Sequence, residues 1–429
     1  MATTDLETHQ RNLALVYRIS DTGPQLLKDV LDSLGWVPYN ELDAPYWNLQ
    51  WKGSRFKKSD YESCQLYQRL NHFPNTAILT KKDSLFRLLK TMKCIYGSAY
   101  DFFPLSFCVP TEYKKFLRHF QNTEDNQKKD VWICKPTDLS RGRGIFVFRE
   151  LHELSYDCSA MVQKYIPNPL LISGYKFDMR CYVLVRSYDP LIVYLYQDGL
   201  ARFATEPFDL TSLRNVFSHL TNTSINKLSP TLNADKEDVG PGCKWNFEKL
   251  KDHLQSRDID FENIWNRIKG LVLLTLLPVS QEIPKMPRGC FELYGFDILI
   301  DDEQKPWILE VNLSPALTAD TDVDLEVKKP LLRDTMFLLD VSAEDGVHAC
   351  NDYKRSKMPI PKRSRQRTST PPSTPPKLQP LWSPSKCGGF HKIFPHNDIQ
   401  SKQNPLPKVG EPGMKSLIQE IKKRFFVPK

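Results

Sequence analysis

The sequence has no hydrophobic run long enough to cross a membrane. A spanning helix needs roughly 18 consecutive apolar residues, whereas the longest apolar stretch, 271–279, falls well short and contains Thr275 and Pro278. That stretch is expected to be a buried helix. The first residues lack the basic start and apolar run of a secretory leader, so no secretory signal is expected. The ten cysteines are scattered, with no C-x-x-C pair, which argues against a zinc site and a disulfide framework and for a reducing compartment. No Ser–His or Cys–His motif for nucleophilic catalysis is evident, nor an internal repeat, nor a basic motif interleaved with aromatics as nucleic-acid binders carry. Neither membrane nor nucleic acid is expected as a partner.

Hydrophobic residues make up 40% of the 429, enough for a sizeable core in two or three packed units plus a tail. The net charge of +8 is unevenly placed. Residues 351–429 hold 17 Lys or Arg against 4 Asp or Glu, a net +13, which leaves −5 for residues 1–350. Thirteen of the 32 prolines also fall in 351–429. That segment is expected to be mostly disordered, except 414–424, where Leu417, Ile418 and Ile421 share a helical face. A basic tail on a mildly acidic body suits an acidic partner. A solvated tail with no partner fits the same composition.

Along the chain, residues 16–18 read as a strand, and 25–34 have helical spacing stopped by Gly35. Trp36, Trp47 and Trp51 suggest a small aromatic core. Helices are predicted over 82–93 and 113–120, and the wholly polar 121–130 marks a loop or boundary. Strands are predicted over 131–135, 145–148, 161–166, 177–186, 191–197 and 201–203, with turns at Asp189-Pro190 and Asp198-Gly199. Helical spacing covers 246–277 with a break at 256–260. A hairpin of 290–300 and 306–312 follows, then a last helix over 324–339.

Three clusters carry chemistry. Lys135-Pro136 ends a strand, and Ser140-Arg141-Gly142-Arg143-Gly144 leads into another. Glycines admit backbone N–H groups close to an anion, and guanidinium groups bind phosphate. The loop runs into a strand, so it is neither a P-loop nor a Rossmann turn; a plain hairpin with a basic turn has the same pattern. Gln163-Lys164-Tyr165-Ile166 offers a strand edge to an adenine rim. In Lys176-Phe177-Asp178-Met179-Arg180, alternation puts the three charges on one face and the apolar residues on the other, which also fits a solvated sheet face. In the acidic hairpin, pairing Ile300 with Trp307 sets Asp297 opposite Glu310, with Asn312 on the same face. Two carboxylates so close repel unless a cation lies between them, and Mg²⁺ takes such oxygen donors. An ordinary wet hairpin face is the alternative.

These motifs, with Leu220-Thr221-Asn222-Thr-Ser-Ile-Asn-Lys227, Arg69–Pro74 and Leu-Glu310-Val-Asn312-Leu-Ser-Pro, resemble in content and order those of the tubulin tyrosine ligase-like enzymes over roughly 11–345, closest to the glutamylase branch. The resemblance implies an α+β fold, an ATP-grasp core with N-terminal (1–120), central (121–205) and C-terminal (206–350) lobes before a basic tail (351–429). It implies ATP and Mg²⁺ as cofactors. Lys135 and the Arg141–Gly144 loop would hold phosphates, Gln163 to Ile166 the adenine, and Lys176, Phe177, Asp178, Thr221 and Asn222 the rest of the nucleotide. Arg180 would face phosphate, and Arg202 and Lys244 would bind free glutamate. Asp297, Glu310 and Asn312 would hold the metal. Arg141 and Leu313 stand where initiating rather than elongating members differ, so initiation on a γ-carboxylate is expected. Ala316 departs from the family's usual Ser-Pro-Ser.

The implied reaction activates an acceptor side-chain carboxylate as an acyl phosphate, and the amine of free L-glutamate displaces phosphate to leave an isopeptide bond. The implied partners are tubulin C-terminal tails and microtubules. A monomer is expected, in the cytoplasm on the cytoskeleton, with cilia or basal bodies as sites. Glycine or tyrosine ligation and a non-catalytic microtubule-binding role are the alternatives. On this basis, deleting 351–429 is expected to raise the KM for microtubules more than that for ATP.

Overall fold

A computed structural model of the chain describes residues 14–20, 23–125, 130–139, 142–155, 158–284, 289–357, 387–395 and 406–426. The fold is mixed, with three sheets. A small parallel sheet has the order β2-β1-β3-β4, from β1 (Val16–Ile19), β2 (Val37–Pro38), β3 (Leu49–Trp51) and β4 (Arg69–Leu70). An antiparallel sheet has the order β5-β8-β6-β7, from β5 (Ser106–Val109), β6 (Trp132–Pro136), β7 (Phe146–Phe148) and β8 (Ala160–Lys164). A seven-stranded sheet runs β12-β11-β10-β13-β14. Its strands are β10 (Tyr175–Tyr188), β11 (Leu191–Phe203), β12 (Lys244–Asn246), β13 (Glu292–Ile300) and β14 (Pro306–Asn312). The short β9 (Leu171–Ile172) pairs with β10, and β15 (Phe390–Phe394) pairs with β11.

Helices cover the large sheet on both faces. The predicted helices form as α1 (Gln25–Ser33), α2 (Lys82–Tyr96) and α3 (Tyr113–Asp125), then α4 (Phe247–Gln255) and α5 (Phe261–Val279), and later α6 (Asp322–Leu338). The apolar 271–279 stretch is the buried end of α5. On one face, Phe177, Met179, Cys181 and Val183 of β10 pack into a core shared with α2 and α5. On the other, Tyr182 and Leu184 join α1, α6 and the parallel sheet. Trp36 and Trp51 sit in this second core, but Trp47 packs against the first, so the three tryptophans form no single cluster. Helix α3 continues to Asp125, through half of the polar stretch predicted as loop.

Asp198-Gly199 is not a turn. Strand β11 continues through it, with a shift of register against β10 between Leu195 and Gly199. A β-carbon on Gly199 would collide with the carbonyl oxygen of Arg180 and the ring of Phe247, so the glycine serves close approach. Asp198 Oδ1 instead accepts from the backbone N–H of Phe247 at 2.8 Å, tying β11 to the start of α4. Gly199→Ala is expected to cost about 1–3 kcal/mol by overpacking, read as a lower thermal midpoint.

Parts of 351–429 pack on the body, among them the segment 414–424 expected to be helical. Helix α7 (Ala343–Lys357) runs past 351, β15 joins the large sheet, and α8 (Pro412–Phe425) buries Met414, Leu417, Ile418, Ile421 and Phe425. Helix α8 lies against α5, where Gly270 lets the ring of Phe426 and the Cβ of Phe425 come close. The helical face read from Leu417, Ile418 and Ile421 is the one that packs. Residues 358–386, 396–405 and 427–429 lie outside the described residues.

Candidate active site

A pocket of about 710 Å³ lies between the antiparallel sheet and the large sheet. Ile133, Lys135 and Gln163 come from the first, and Lys176, Asp178, Asp297, Leu299, Leu309 and Glu310 from the second. Lys164, Tyr165, Ile166, Thr221 and Asn222 complete the predicted lining. Phe177 does not reach it. Alternation along β10 turns its ring into the core, where it is 1% exposed against Phe203.

The acidic hairpin owes its chemistry to an irregularity. Its turn end pairs Ile300 with Pro306, Leu299 with Trp307 and Ile298 with Ile308, one residue away from the expected register. Continued without a break, that register would send Glu310 to the face opposite Asp297. An extra residue, Leu309, enters β14 as a β-bulge, after which Asp297 pairs with Glu310 and Gly295 with Asn312. Burial alternation along β14 breaks at the same point, and Leu309 and Glu310 both reach the pocket. Asn312 Nδ2 donates to Glu310 Oε1 at 3.2 Å.

The repulsion between these carboxylates is offset here by protein cations. Arg180 grips Asp297 through Nε at 2.5 Å and Nη2 at 3.0 Å, and Arg202 Nη2 lies 2.8 Å from Asp297 Oδ2. Arg202 also pairs with Asp178 at 2.6 and 2.7 Å, and Asp178 accepts from Thr221 Oγ1 at 2.8 Å. Burial opposes ionisation of Asp297, but Arg180 and Arg202 outweigh it and hold its carboxyl well below the usual range. Lys82, from the first turn of α2, stands 3.6 Å from Glu310 Oε2. Adjacent strands thus align a charged band, from Lys244 through Arg202, Asp178 and Arg180 to Asp297 and Glu310.

Two lysines are buried in the pocket wall. Lys135 Nζ donates to Gln163 Oε1 at 2.7 Å. Burial lowers its pKa to about 8, partly countered by Glu310. Lys176 Nζ donates to Tyr165 Oη at 2.8 Å and to the His219 carbonyl at 2.9 Å. Burial, then the neighbouring Lys135, lowers its pKa to about 7. The lining cations Lys82, Lys135, Lys164 and Lys176 outnumber the lining acids Asp178, Asp297 and Glu310, and Arg180 and Arg202 pair with Asp297 without lining the pocket themselves, a balance that suits a polyanion.

The glycine-rich segment leads into Ile145, which lines the pocket. Gly142 and Gly144 have φ of 78° and 69°, in the left-handed region. A β-carbon on Gly142 would stand 3.1 Å from Asn222 Oδ1, so the loop lies against the Thr221-Asn222 turn. Arg143 is exposed, and Arg141 lies outside the described residues. Lys244 is drawn to Asp324 of α6 at 2.7 Å and does not line the pocket. Sequence reasoning missed Lys82, His219 and Leu309. Lys82 and His219 enter only through tertiary contact, and Leu309 only through the bulge.

A sequence model described as the tubulin-tyrosine ligase family matches residues 58–345. The chain belongs to the tubulin-tyrosine ligase family. Among family members, it is 46% identical over 330 residues to the probable tubulin polyglutamylase TTLL2 of Homo sapiens, covering 76% of this chain and 56% of that protein. It is 35% identical to tubulin polyglutamylase TTLL5 of Mus musculus, covering 86% of this chain and 28% of the relative. It is also 35% identical to tubulin monoglutamylase TTLL4 of Homo sapiens, covering 83% and 30%. The chain spans between 56% and 61% of the length of the first two curated family members it matches. Among the described residues no helix is long and apolar enough to cross a membrane, and no disulfide joins the cysteines.

Proposed function

We propose that this chain is an ATP- and Mg²⁺-dependent ligase that joins free L-glutamate to a glutamate side chain of the tubulin tail. Family membership and the printed names of its relatives support the reaction class. The observation that carries it for this chain is the bulged hairpin, which sets Asp297 and Glu310 face to face inside a cationic pocket.

Asp297, Glu310 and Asn312 fit a hard divalent ion by donor chemistry, two carboxylates and an amide on one face. Bound there, Mg²⁺ would supply charge neutralisation for the triphosphate. The chain's own residues do the rest. Lys135, Lys176 and the Gly142–Gly144 loop, with Arg141 and Arg143, hold phosphate charge, and Gln163 to Ile166 frame the base. Thr221, Asn222 and Asp178 bind the sugar end. Lys82, adjacent to Glu310, joins the phosphate cations. Arg180 and Arg202 stand where the acceptor carboxylate, activated as an acyl phosphate, meets the amine of glutamate. There they stabilise charge in the transition state. Arg202 takes a glutamate carboxylate, and its neighbour across β11 and β12, Lys244, joins it only on release from Asp324. The two sheets that wall the pocket are read as the halves of an ATP-grasp arrangement, with the large sheet taking β10 and β11 from the segment expected in the central lobe.

The test is incubation of the chain with ATP, Mg²⁺, radiolabelled glutamate and microtubules, followed by mass spectrometry of the tails. Mass added in glutamate units on side-chain carboxylates is the expected result. Preferential incorporation of glycine or tyrosine in competition, or no incorporation at all, would sink it.

The lysine pKa values fix a pH dependence. A phosphate ligand favours the protonated amines, so ATP affinity is present where Lys176 and Lys135 are charged and is lost as pH rises through about 7 and then about 8. The KM for ATP is expected to rise by up to about tenfold per pH unit for each lysine that deprotonates. Lys176→Gln is expected to remove the lower step. A flat KM across neutral and alkaline pH would contradict phosphate contact by either lysine.

A further inference from the structure

An acceptor peptide needs a path to Glu310 that the nucleotide does not fill, and a second cleft opens beside Leu313. It encloses about 940 Å³ between Trp51, Asn71 and His72 on one side and residues 313–318 on the other. Leu313 directly follows Asn312, the last residue of β14, so the cleft begins next to the acidic hairpin.

Gly53 sits on the lip of this cleft within a basic stretch. Lys52, Arg55, Lys57 and Lys58 fall within seven residues that hold no acid, in a body whose first 350 residues are net negative. Arg55, Lys57 and Lys58 are exposed. Arg55 donates to a neutral partner, Thr80 Oγ1, at 2.8 Å. Lys58 is 90% exposed and pairs with Glu62, itself 65% exposed, at 3.5 Å, a pair that offsets little of its charge.

A solvated charge run needs no anchoring, and this one is anchored firmly to the site. The Lys52 N–H donates to Asn71 Oδ1 at 2.9 Å, and Asn71 Nδ2 donates to the Lys52 carbonyl at 2.8 Å. His72 Nε2 lies 2.8 Å from that carbonyl, and Ser314 Oγ donates to the Gly53 carbonyl at 3.1 Å. His72 is itself held by the buried Glu292, with Nδ1 and Oε1 2.5 Å apart, while Glu292 Oε2 accepts from the Phe73 N–H at 2.9 Å. Glu292 opens β13, the strand that carries Asp297. The basic edge is therefore indexed to the hairpin from both sides, through β13 and through the residues after β14.

Resting on the ligase reaction proposed above, we infer that Arg55, Lys57 and Lys58 form a docking edge for a glutamate-rich acceptor peptide, which enters by this cleft and passes Leu313 to reach Glu310. The cations supply charge attraction and register along the peptide.

The experiment measures binding of a fluorescently labelled, glutamate-rich peptide to the full chain by anisotropy. Arg55→Glu, Lys57→Glu and Lys58→Glu combined are expected to raise the peptide Kd by about tenfold or more at low ionic strength, with the effect shrinking as salt is added. The three alanine changes are expected to give a smaller rise in the same direction, and they decide the matter if the charge-reversed protein does not fold. ATP binding is expected to be unchanged in both. An unchanged peptide Kd in the alanine triple and in the folded charge-reversed protein would overturn the docking edge and place the peptide elsewhere, such as on 351–429. Because the readout needs no turnover, peptide binding through these residues by a chain that incorporates no glutamate would uphold the docking edge and sink the ligase reaction.

Discussion

Glu310→Gln is expected to lower glutamate incorporation by about a thousandfold or more, roughly 4 kcal/mol of transition-state stabilisation, with the thermal midpoint almost unmoved. The side chain is 26% exposed and its ion-pair partner Lys82 is partly solvated, so loss of the charge leaves no buried group stranded. Asp297→Ala is expected to behave differently. Asp297 is the shared partner of Arg180 and Arg202, whose side chains are 11% and 7% exposed. Removing one partner of a buried ion pair costs about 3–5 kcal/mol, so this variant is expected to lose stability together with activity. Comparing the two by melting, Mg-ATP calorimetry and ligation separates metal binding from structural support. Wild-type ligation by Glu310→Gln would remove Glu310 from the chemistry.

Leu417→Ala is expected to destabilise the whole protein by about 2–5 kcal/mol, although it lies far along the chain from every pocket residue. Leu417 is fully buried beside Ile418 and Ile421, against α5, the central helix of the main core. The loop before α8 is tied down as well. Val409 N–H donates to Gln281 Oε1 at 2.9 Å and Gly410 N–H to Tyr96 Oη at 2.8 Å. Removal of 406–429 is therefore expected to reduce soluble yield and the thermal midpoint, and to impair ATP and microtubule kinetics together. A truncated protein that melts like the full chain would show that α8 is dispensable. The selective effect on microtubule KM expected from composition alone is superseded for any deletion that includes α8.

Local patterns gave most elements. The alternation in 176–180, the amphipathic spacing of 25–34 and 414–424, and the acidic hairpin all lie in runs whose period is visible in one dimension. Context misled elsewhere. Asp198-Gly199 has turn composition, but the glycine answers to Arg180 and Phe247, which are distant in sequence. The hairpin placed Asp297 opposite Glu310 correctly for an incomplete reason, because the turn starts in the other register and Leu309 corrects it. The identity of the charges that balance the two carboxylates was illegible, since Lys82, Arg180 and Arg202 reach them from three separate elements. Beyond 387, proline and charge content hid only the strand at 390–394, whose Phe390, Ile393 and Phe394 are buried.

The late arrival of β15 has a consequence for synthesis. Strand β12 covers β11 only at Leu200–Arg202, while β15 pairs with Val193, Tyr194, Leu195 and Tyr196. A nascent chain that has emerged as far as α7 therefore displays an unpaired run of β-branched and aromatic residues, a template for aggregation until residues 390–394 follow. Chaperone retention during that interval, and inclusion bodies from fragments ending before Phe390, are the outcomes this topology imposes.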